Sequence, residues 1–351
     1  MIVKLAPAFE AIRLAAGTEL LFANEHVMYT KVLPKFVSLQ KAAAVPEEEC
    51  LRYAKCYGSL DEAPNEVLIL EDLNESNFEM LNKFEPLPEE CIKSILKNFA
   101  IFHSLSYVLK NKEPVTYDLF TGTLKDSWYT RLKDPNFEMQ FEMLLNSVLP
   151  LLDNETQKNI VKNKLTNIVQ EVLKFSKEND SRFSVIHQGD AWTNNFMFRF
   201  EEGVLRESVM IDYQASTSHN PVTDVLFVIF ICSDHEARSK NFYDWIDYYH
   251  SELDKSLSNF GLKANFTYSR DQLDADIKRF GKIVFATTVL FINILMRDTN
   301  EVAAMKEALK TSSFEEQLEN MSINEMQGET FGTAKKRLLD LIETYIQFGL
   351  V

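Results

Sequence analysis

Apolar positions follow two different spacings along this chain, and the changeover divides it. Residues 1–6 (MIVKLA) read as a short strand. From Glu19 to Leu33 the pattern is helical: Phe22, Glu25, Tyr29 and Val32 succeed one another at helical spacing and share one face. Pro34 is expected to stop that helix. A polar stretch, Leu60–Glu66, leads into Val67–Leu70, an apolar run with the character of a buried strand, and Glu71-Asp72-Leu73-Asn74 leaves it as a polar connection. From Pro88 onward helical periodicity dominates, with candidates at 88–111, 137–152 and 155–178. One interruption follows. Ser184–Ile186 is briefly apolar, His187–Asn195 is polar and irregular, and Phe196–Phe200 and Ser208–Ile211 read as two strands joined through Glu201-Glu202-Gly203. Helices return at 222–233, 238–259, 270–297 and 333–348, while the acidic stretch 299–331 is expected to hold loops and a short helix. The pattern predicts an α+β chain: a small mixed start over 1–73, then a mainly helical part over 74–351 broken by one hairpin.

A length of 351 residues agrees with two lobes, and a 46% apolar share supplies an ordinary globular core. The formal charge of −15 argues against a nucleic-acid partner, since neutralising phosphates takes a basic face. Cys50, Cys56, Cys91 and Cys232 include no C-x-x-C, so reduced thiols are expected rather than a zinc site or disulfide framework. The apolar run from Ile283 to Met296 is closed by Lys282 and Arg297 and falls short of the roughly 20 residues of a membrane span. It reads as a buried helix. The start, MIVKLAPAFEAIR, meets Pro7 and Glu10 too early for a secretory signal. These features together lead to the expectation of a soluble, cytoplasmic protein.

Candidate chemistry gathers around the interruption. In Val185-Ile-His-Gln-Gly-Asp190-Ala-Trp-Thr-Asn-Asn195 an acid and an amide stand five positions apart in a loop that runs into an apolar strand. A second acid, Asp212, ends the next strand. Such a set suits phosphoryl transfer: one carboxylate takes the acceptor hydroxyl's proton, while an amide oxygen and a second carboxylate hold Mg²⁺ against nucleotide phosphates. Asp and Asn are also common turn formers, and the pair alone would carry little weight. A hydrolase that uses Asp190 and Asp212 with a metal is disfavoured, because no His ligands stand near them.

The segments HQGDAWTNNFMF and VMIDYQASTSHNPVTDVLF resemble the catalytic and metal-binding loops of the ecdysteroid kinase-like family, which is related to aminoglycoside and choline kinases. Upstream, Ile2-Val-Lys4-Leu-Ala-Pro resembles its phosphate-lysine strand, and Phe22 to Pro34 its F-x-x-E-x-x-x-Y-x-x-x-L-P helix. The resemblance implies a protein-kinase-like two-lobed fold, ATP and Mg²⁺ as cofactors, and a small-molecule hydroxyl as acceptor. It implies Asp190 as catalytic base, Asn195 and Asp212 as metal ligands, and Asp224 as the acid bracing the catalytic loop. It also implies Lys4 at the phosphates and Glu71, Asp72 and Leu73 at the adenine hinge. Glu25 is a single charge on an apolar stripe, which calls for a cationic partner, and Lys4 is the candidate. Helix 88–111 carries Phe99-Ala-Ile-Phe-His103, where His103 is expected to be a satisfied core histidine, and Trp192 is expected to pack beneath the loop.

Two departures stand out. Gln188 occupies the position where the family places a histidine, so the bracing of Asp190 is open to question. The ten glycines form no phosphate-cradling cluster, and the lysine strand comes almost first, so the expectation is either a start missing from this sequence or a truncated N-lobe sheet. The resemblance implies an ATP-dependent kinase of a lipophilic alcohol such as an ecdysteroid; a pseudokinase or ligand-binding protein without turnover is an alternative, and a choline- or ethanolamine-type kinase is another.

Overall fold

The computed structural model describes the chain apart from scattered residues within 128–146, residues 166–167 and 178–181, all but 323 of 312–325, and residue 351. The first strand, β1 (Ile2–Leu5), is followed by three helical segments, α1 (Glu10–Ala16), α2 (Thr18–Val27) and α3 (Leu33–Ala42). Strands β2 (Cys56–Leu60) and β3 (Val67–Leu70) complete an antiparallel sheet of order β1-β3-β2, in which Lys4 stands opposite Leu68. Val67–Leu70 is thus the central strand of the sheet, as its unbroken apolar run predicts.

Pro34 does not stop the helix. Between α2 and α3 the chain passes through a π-turn over Met28–Val32, and Pro34 falls in the first turn of α3. The wider turn accommodates a ring that cannot donate a hydrogen bond, so α2, the π-turn and α3 run on as one long helical arm. The predicted face survives this change of winding: Phe22, Glu25, Tyr29 and Val32 are all buried.

The second part opens with the two-residue strand β4 (Phe78–Glu79) and the long helix α4 (Glu89–Lys112), followed by α5 (Pro114–Thr123). The expected helix at 137–152 lies mostly outside the described residues, and the one at 155–178 is described as α6 (Glu155–Leu165) and α7 (Ile168–Lys177). Then come β5 (Val185–His187), β6 (Phe196–Glu201), β7 (Val204–Met210) and β8 (Thr217–His219). The β6–β7 hairpin pairs Phe196 with Met210, and β7 begins four residues earlier than its apolar run suggested because Val204–Glu207 are pulled into the ladder by the turn. That turn places Glu202 at φ 53° and Gly203 at φ 76°, the left-handed pair that matches strand twist. β4 joins this hairpin, while β5 and β8 form a separate antiparallel pair.

The remaining helices are α8 (Val222–Cys232), α9 (His235–Ser258), the short α10 (Ala264–Thr267), α11 (Arg270–Leu295), α12 (Thr299–Thr311) and α13 (Gly328–Gln347). α12 is a longer helix than the acidic stretch suggested. α11 contains the apolar run from Ile283 and is largely buried, and no single helix among the described residues is long and apolar enough to cross a membrane. One buried cluster runs from Val27 and Phe36 on the helical arm through α4 to Tyr345 on α13. The small sheet and helical arm therefore rest on the same core as the helical part, the mixed α+β architecture that the pattern predicts.

Candidate active site

Three loop ends meet beside the N-terminal sheet. The first is the turn after β5. Gly189 adopts φ +83°, and a Cβ there would lie 2.4 Å from the Ala215 carbonyl oxygen, so only glycine lets the chain pass this close to the loop after β7. The next residue, Asp190, is fixed by its neighbours. Its N–H donates to Gln188 Oε1 at 2.7 Å, and its Oδ2 accepts from Asn195 Nδ2 at 2.9 Å. Asn195 Nδ2 also donates to the Asp190 carbonyl at 2.7 Å, which folds the intervening residues into a closed loop. Asp190 Oδ1 is buried and makes no well-formed hydrogen bond among the described residues. Burial, and then the charge of Asp212, push the Asp190 carboxyl up to about 7.

The second loop end is Asp212, directly after β7. It holds φ 59°, a left-handed backbone that a non-glycine residue adopts only at a cost. Ile211 N–H donates to the Asn195 carbonyl at 3.0 Å, which sets Asp212 next to Asn195. The Gln188 side chain joins the two loops: while its oxygen serves Asp190, its Nε2 donates to the Asp212 carbonyl at 2.9 Å. The amide thus makes both contacts at once, and the doubt raised by its replacement of histidine is answered by geometry.

The third element is Lys4 on β1. Its ammonium donates to Glu25 Oε2 at 2.6 Å and to Asp212 Oδ1 at 2.9 Å. Burial works to lower the Lys4 pKa, but the two carboxylates outweigh it and hold the ammonium above its ordinary range. Glu25 is pushed up to about 7 by its own burial and by the charge of Asp212, against the pull of Lys4. Two acids share one cation, and a proton or a further cation is the natural complement.

Behind the loop, Asp224 stands in the first turn of α8. Its Oδ2 accepts from Gln188 N–H at 2.8 Å and faces His103 Nε2 at 3.2 Å, and its Oδ1 accepts from Gly189 N–H at 3.0 Å. Burial alone would favour the neutral acid, but His187 and His103 outweigh it and keep Asp224 far below the usual carboxylate range. His103 is fully buried, stacks on Phe99 and reaches Tyr249 Oη at 2.9 Å, the satisfied core histidine that was expected.

The hinge residues are less directly engaged. Glu71 N–H donates to the Lys55 carbonyl at 2.8 Å, which removes that donor from the set expected to meet adenine. Asp72 caps the following turn through Asn74 N–H. Leu73 is buried in a small cluster with Met197 and Val209, against which Ile211 packs, so the hinge touches the Asp212 strand from the other side.

A model of the ecdysteroid kinase-like family matches residues 1–262. The chain belongs to that family. No curated protein matches it. Among solved structures, this ecdysteroid kinase-like chain is similar to an ethanolamine kinase from Plasmodium vivax at 13% identity and a TM-score of 0.42, over 99% of this chain and 77% of that one. It is also similar to a GDP complex of an aminoglycoside 2′-phosphotransferase variant at 13% identity and a TM-score of 0.41, over 86% of this chain and 79% of the other.

Two participants escape a reading of the sequence. Asn24, buried beside Glu25, donates to the Gln214 carbonyl at 3.3 Å and exchanges hydrogen bonds with the Lys125 backbone, tying the helical arm to the Asp212 loop. A buried Asn beside the lone Glu was the available signal. Gln214 Oε1 is the third oxygen near Lys4, at 3.5 Å.

Proposed function

We propose that this family member is an ATP-dependent phosphotransferase that delivers the γ-phosphoryl group to a hydroxyl of a small, lipophilic molecule, with ecdysteroid-like alcohols as the class its family name suggests. The observation that carries the reading is the Lys4 ammonium held between Glu25 and Asp212, with the Asp190–Asn195 pair locked next to Asp212. In this reading Asp190 orients the acceptor hydroxyl and takes its proton, for which a carboxyl titrating near 7 is well matched. Lys4, positioned by Glu25, moves onto the phosphates. The residues fit Mg²⁺: Asp212 and Asn195 offer a carboxylate and an amide oxygen, hard donors for a hard ion, beside two acids that lack a full complement of cations. When bound, the ion would neutralise charge building on the phosphates. Gln188 and Asp224 hold the loop in place, and residues 71–73 border the adenine site. Apolar side chains of Val172, Phe227, Ile283 and Phe291 wall the cavity next to Gly189, with Asp126 and Asp224 also on its lining, and the apolar walls suit a lipophilic acceptor. Four unpaired cysteines suit a cytoplasmic setting.

The test is transfer of labelled γ-phosphate in the presence of Mg²⁺ to a panel of alcohols. Wild type is expected to phosphorylate at least one, and Asp190→Ala to lose about 100-fold or more of that rate. Equal transfer by the variant, or none by wild type, overturns the reading.

A further inference from the structure

Asn24 stands next to Glu25 on α2, and the chemistry described above makes no use of it. Asparagine is a poor helix former because its amide competes for backbone groups, and an amide buried within a helix needs partners from elsewhere. Asn24 is 1% exposed and finds its partners far along the chain. Its Oδ1 accepts from Lys125 N–H at 2.9 Å, and its Nδ2 donates to the Lys125 carbonyl at 2.8 Å and to the Gln214 carbonyl at 3.3 Å. One side-chain amide thus clamps two backbone segments, much as a rung of a β-ladder would.

What the clamp holds lies one residue further on in each segment. Asp126 follows Lys125, Ala215 follows Gln214, and both line the cavity beside the loop after β5. Leu124 is buried at the end of α5, so Lys125 is anchored by its neighbour as well as by the amide. The same turn of α2 holds the cation. Glu25 accepts from Lys4 Nζ at 2.6 Å, and Gln214 Oε1 lies 3.5 Å from that nitrogen. Adjacent residues of α2 therefore serve two places: Glu25 the ammonium, and Asn24 two walls of the cavity.

We propose that Asn24 is a positioning residue that couples the Lys4 site to the cavity: it holds Asp126 and Ala215 in register and passes to them the order that nucleotide and metal bring to the loop after β7. A metal on Asp212 would still the chain that continues into Gln214, and the clamp would carry that order to Lys125 and Asp126. The cavity is then best formed once nucleotide is bound. This rests on the phosphotransferase reading, which supplies the nucleotide; the clamp itself is read without one, so the two can fail separately.

Backbone hydrogen exchange of the full chain is followed by mass spectrometry, with and without Mg·AMP-PNP at a concentration that calorimetry shows to be saturating. Without nucleotide, the Lys125 amide is expected to exchange about 10-fold faster in Asn24→Ala, the worth of one buried hydrogen bond. With nucleotide, exchange over residues 122–127 is expected to slow about 5-fold in wild type and to stay unchanged in Asn24→Ala. Lys125→Pro deletes the same N–H from an exposed residue, and Leu124 before it already has the extended backbone (φ −66°, ψ 129°) that a following proline demands. Should Asn24→Ala not fold, this second variant is expected to lose most of the response. Ser104→Ala breaks a buried 2.7 Å contact to Ser256 outside the cavity lining. It is expected to lower Tm and keep the full response, as Asn24→Ala would if its role were merely structural. A Lys125 amide unchanged in Asn24→Ala, or a nucleotide response that persists in that variant or is missing from wild type, overturns the proposal. Absence of nucleotide binding in calorimetry would strike the phosphotransferase reading and the coupling with it, while the Lys125 result would still report the clamp.

Discussion

Asp190 keeps one carboxylate oxygen on Asn195 and buries the other without a well-formed hydrogen bond among the described residues, beside the like charge of Asp212. A protein selected for stability alone would not place an acid this way, and the sign of its pH dependence follows. The folded carboxyl titrates near 7, above the ordinary value of 3.8, so the folded state holds a proton that the unfolded chain releases. The resulting stabilisation is complete below the ordinary carboxyl range and is lost as pH rises through about 7. Asp190→Asn removes a buried anion that exists only at the high end. Without Mg²⁺, the variant's Tm is expected to exceed that of wild type by about 2 °C or more near pH 8, with the gap closing toward pH 5. Differential scanning fluorimetry at the two pH values checks this, and a lower Tm near pH 8 would contradict it.

Loop and helix are coupled through one side chain in the first turn of α8. Asp224 receives Gln188 N–H, Gly189 N–H and His103 on a residue 2% exposed. Asp224→Ala would strand three donors from two different elements, and its expected cost is about 3–5 kcal/mol by urea denaturation. A cost below about 1 kcal/mol would mean that water or a rearranged loop replaces the carboxylate. Asp224 was legible through the family resemblance, which implied the acid that braces the loop, and its burial in the first turn of an otherwise apolar helix requires donors. Glu25 was legible for the same reason on the helical arm. Elsewhere, local spacing misled or was silent. Pro34 predicts a stop, yet a π-turn absorbs it, since the buried face of Tyr29 and Val32 continues into Phe36. β4 and β8 are two and three residues long and exist because their partners β6 and β5 offer an edge, which no local pattern encodes. The Gln188 bridge and the His187–His219 stack likewise depend on chain segments some 24 and 32 residues apart returning to the same place.

Across the molecule, the β1 lysine is the link between the small sheet and the loop that carries Asp212. It holds Asp212 at 2.9 Å while also holding Glu25 at 2.6 Å. Asp212 therefore serves as a counter-ion to Lys4 in the nucleotide-free protein and cannot give the same oxygen to a metal. Mg·ATP would relieve the competition in one event, with phosphates drawing Lys4 away and the metal taking Asp212. In the phosphotransferase reading proposed above, nucleotide and metal binding are interdependent: ATP alone would leave Asp212 with a diminished counter-ion, and Mg²⁺ alone would meet an acid already paired. Mg·ATP is expected to raise Tm by more than the sum of the shifts from ATP and Mg²⁺ given separately. In Lys4→Met the excess is expected to vanish and Mg·ATP affinity to fall by about 10-fold or more, because Glu25 and Asp212 are left as unshared acids facing the phosphates. Additive shifts in wild type, or an undiminished excess in Lys4→Met, would mean that Lys4 only braces Glu25 and that the sheet plays no part in holding nucleotide.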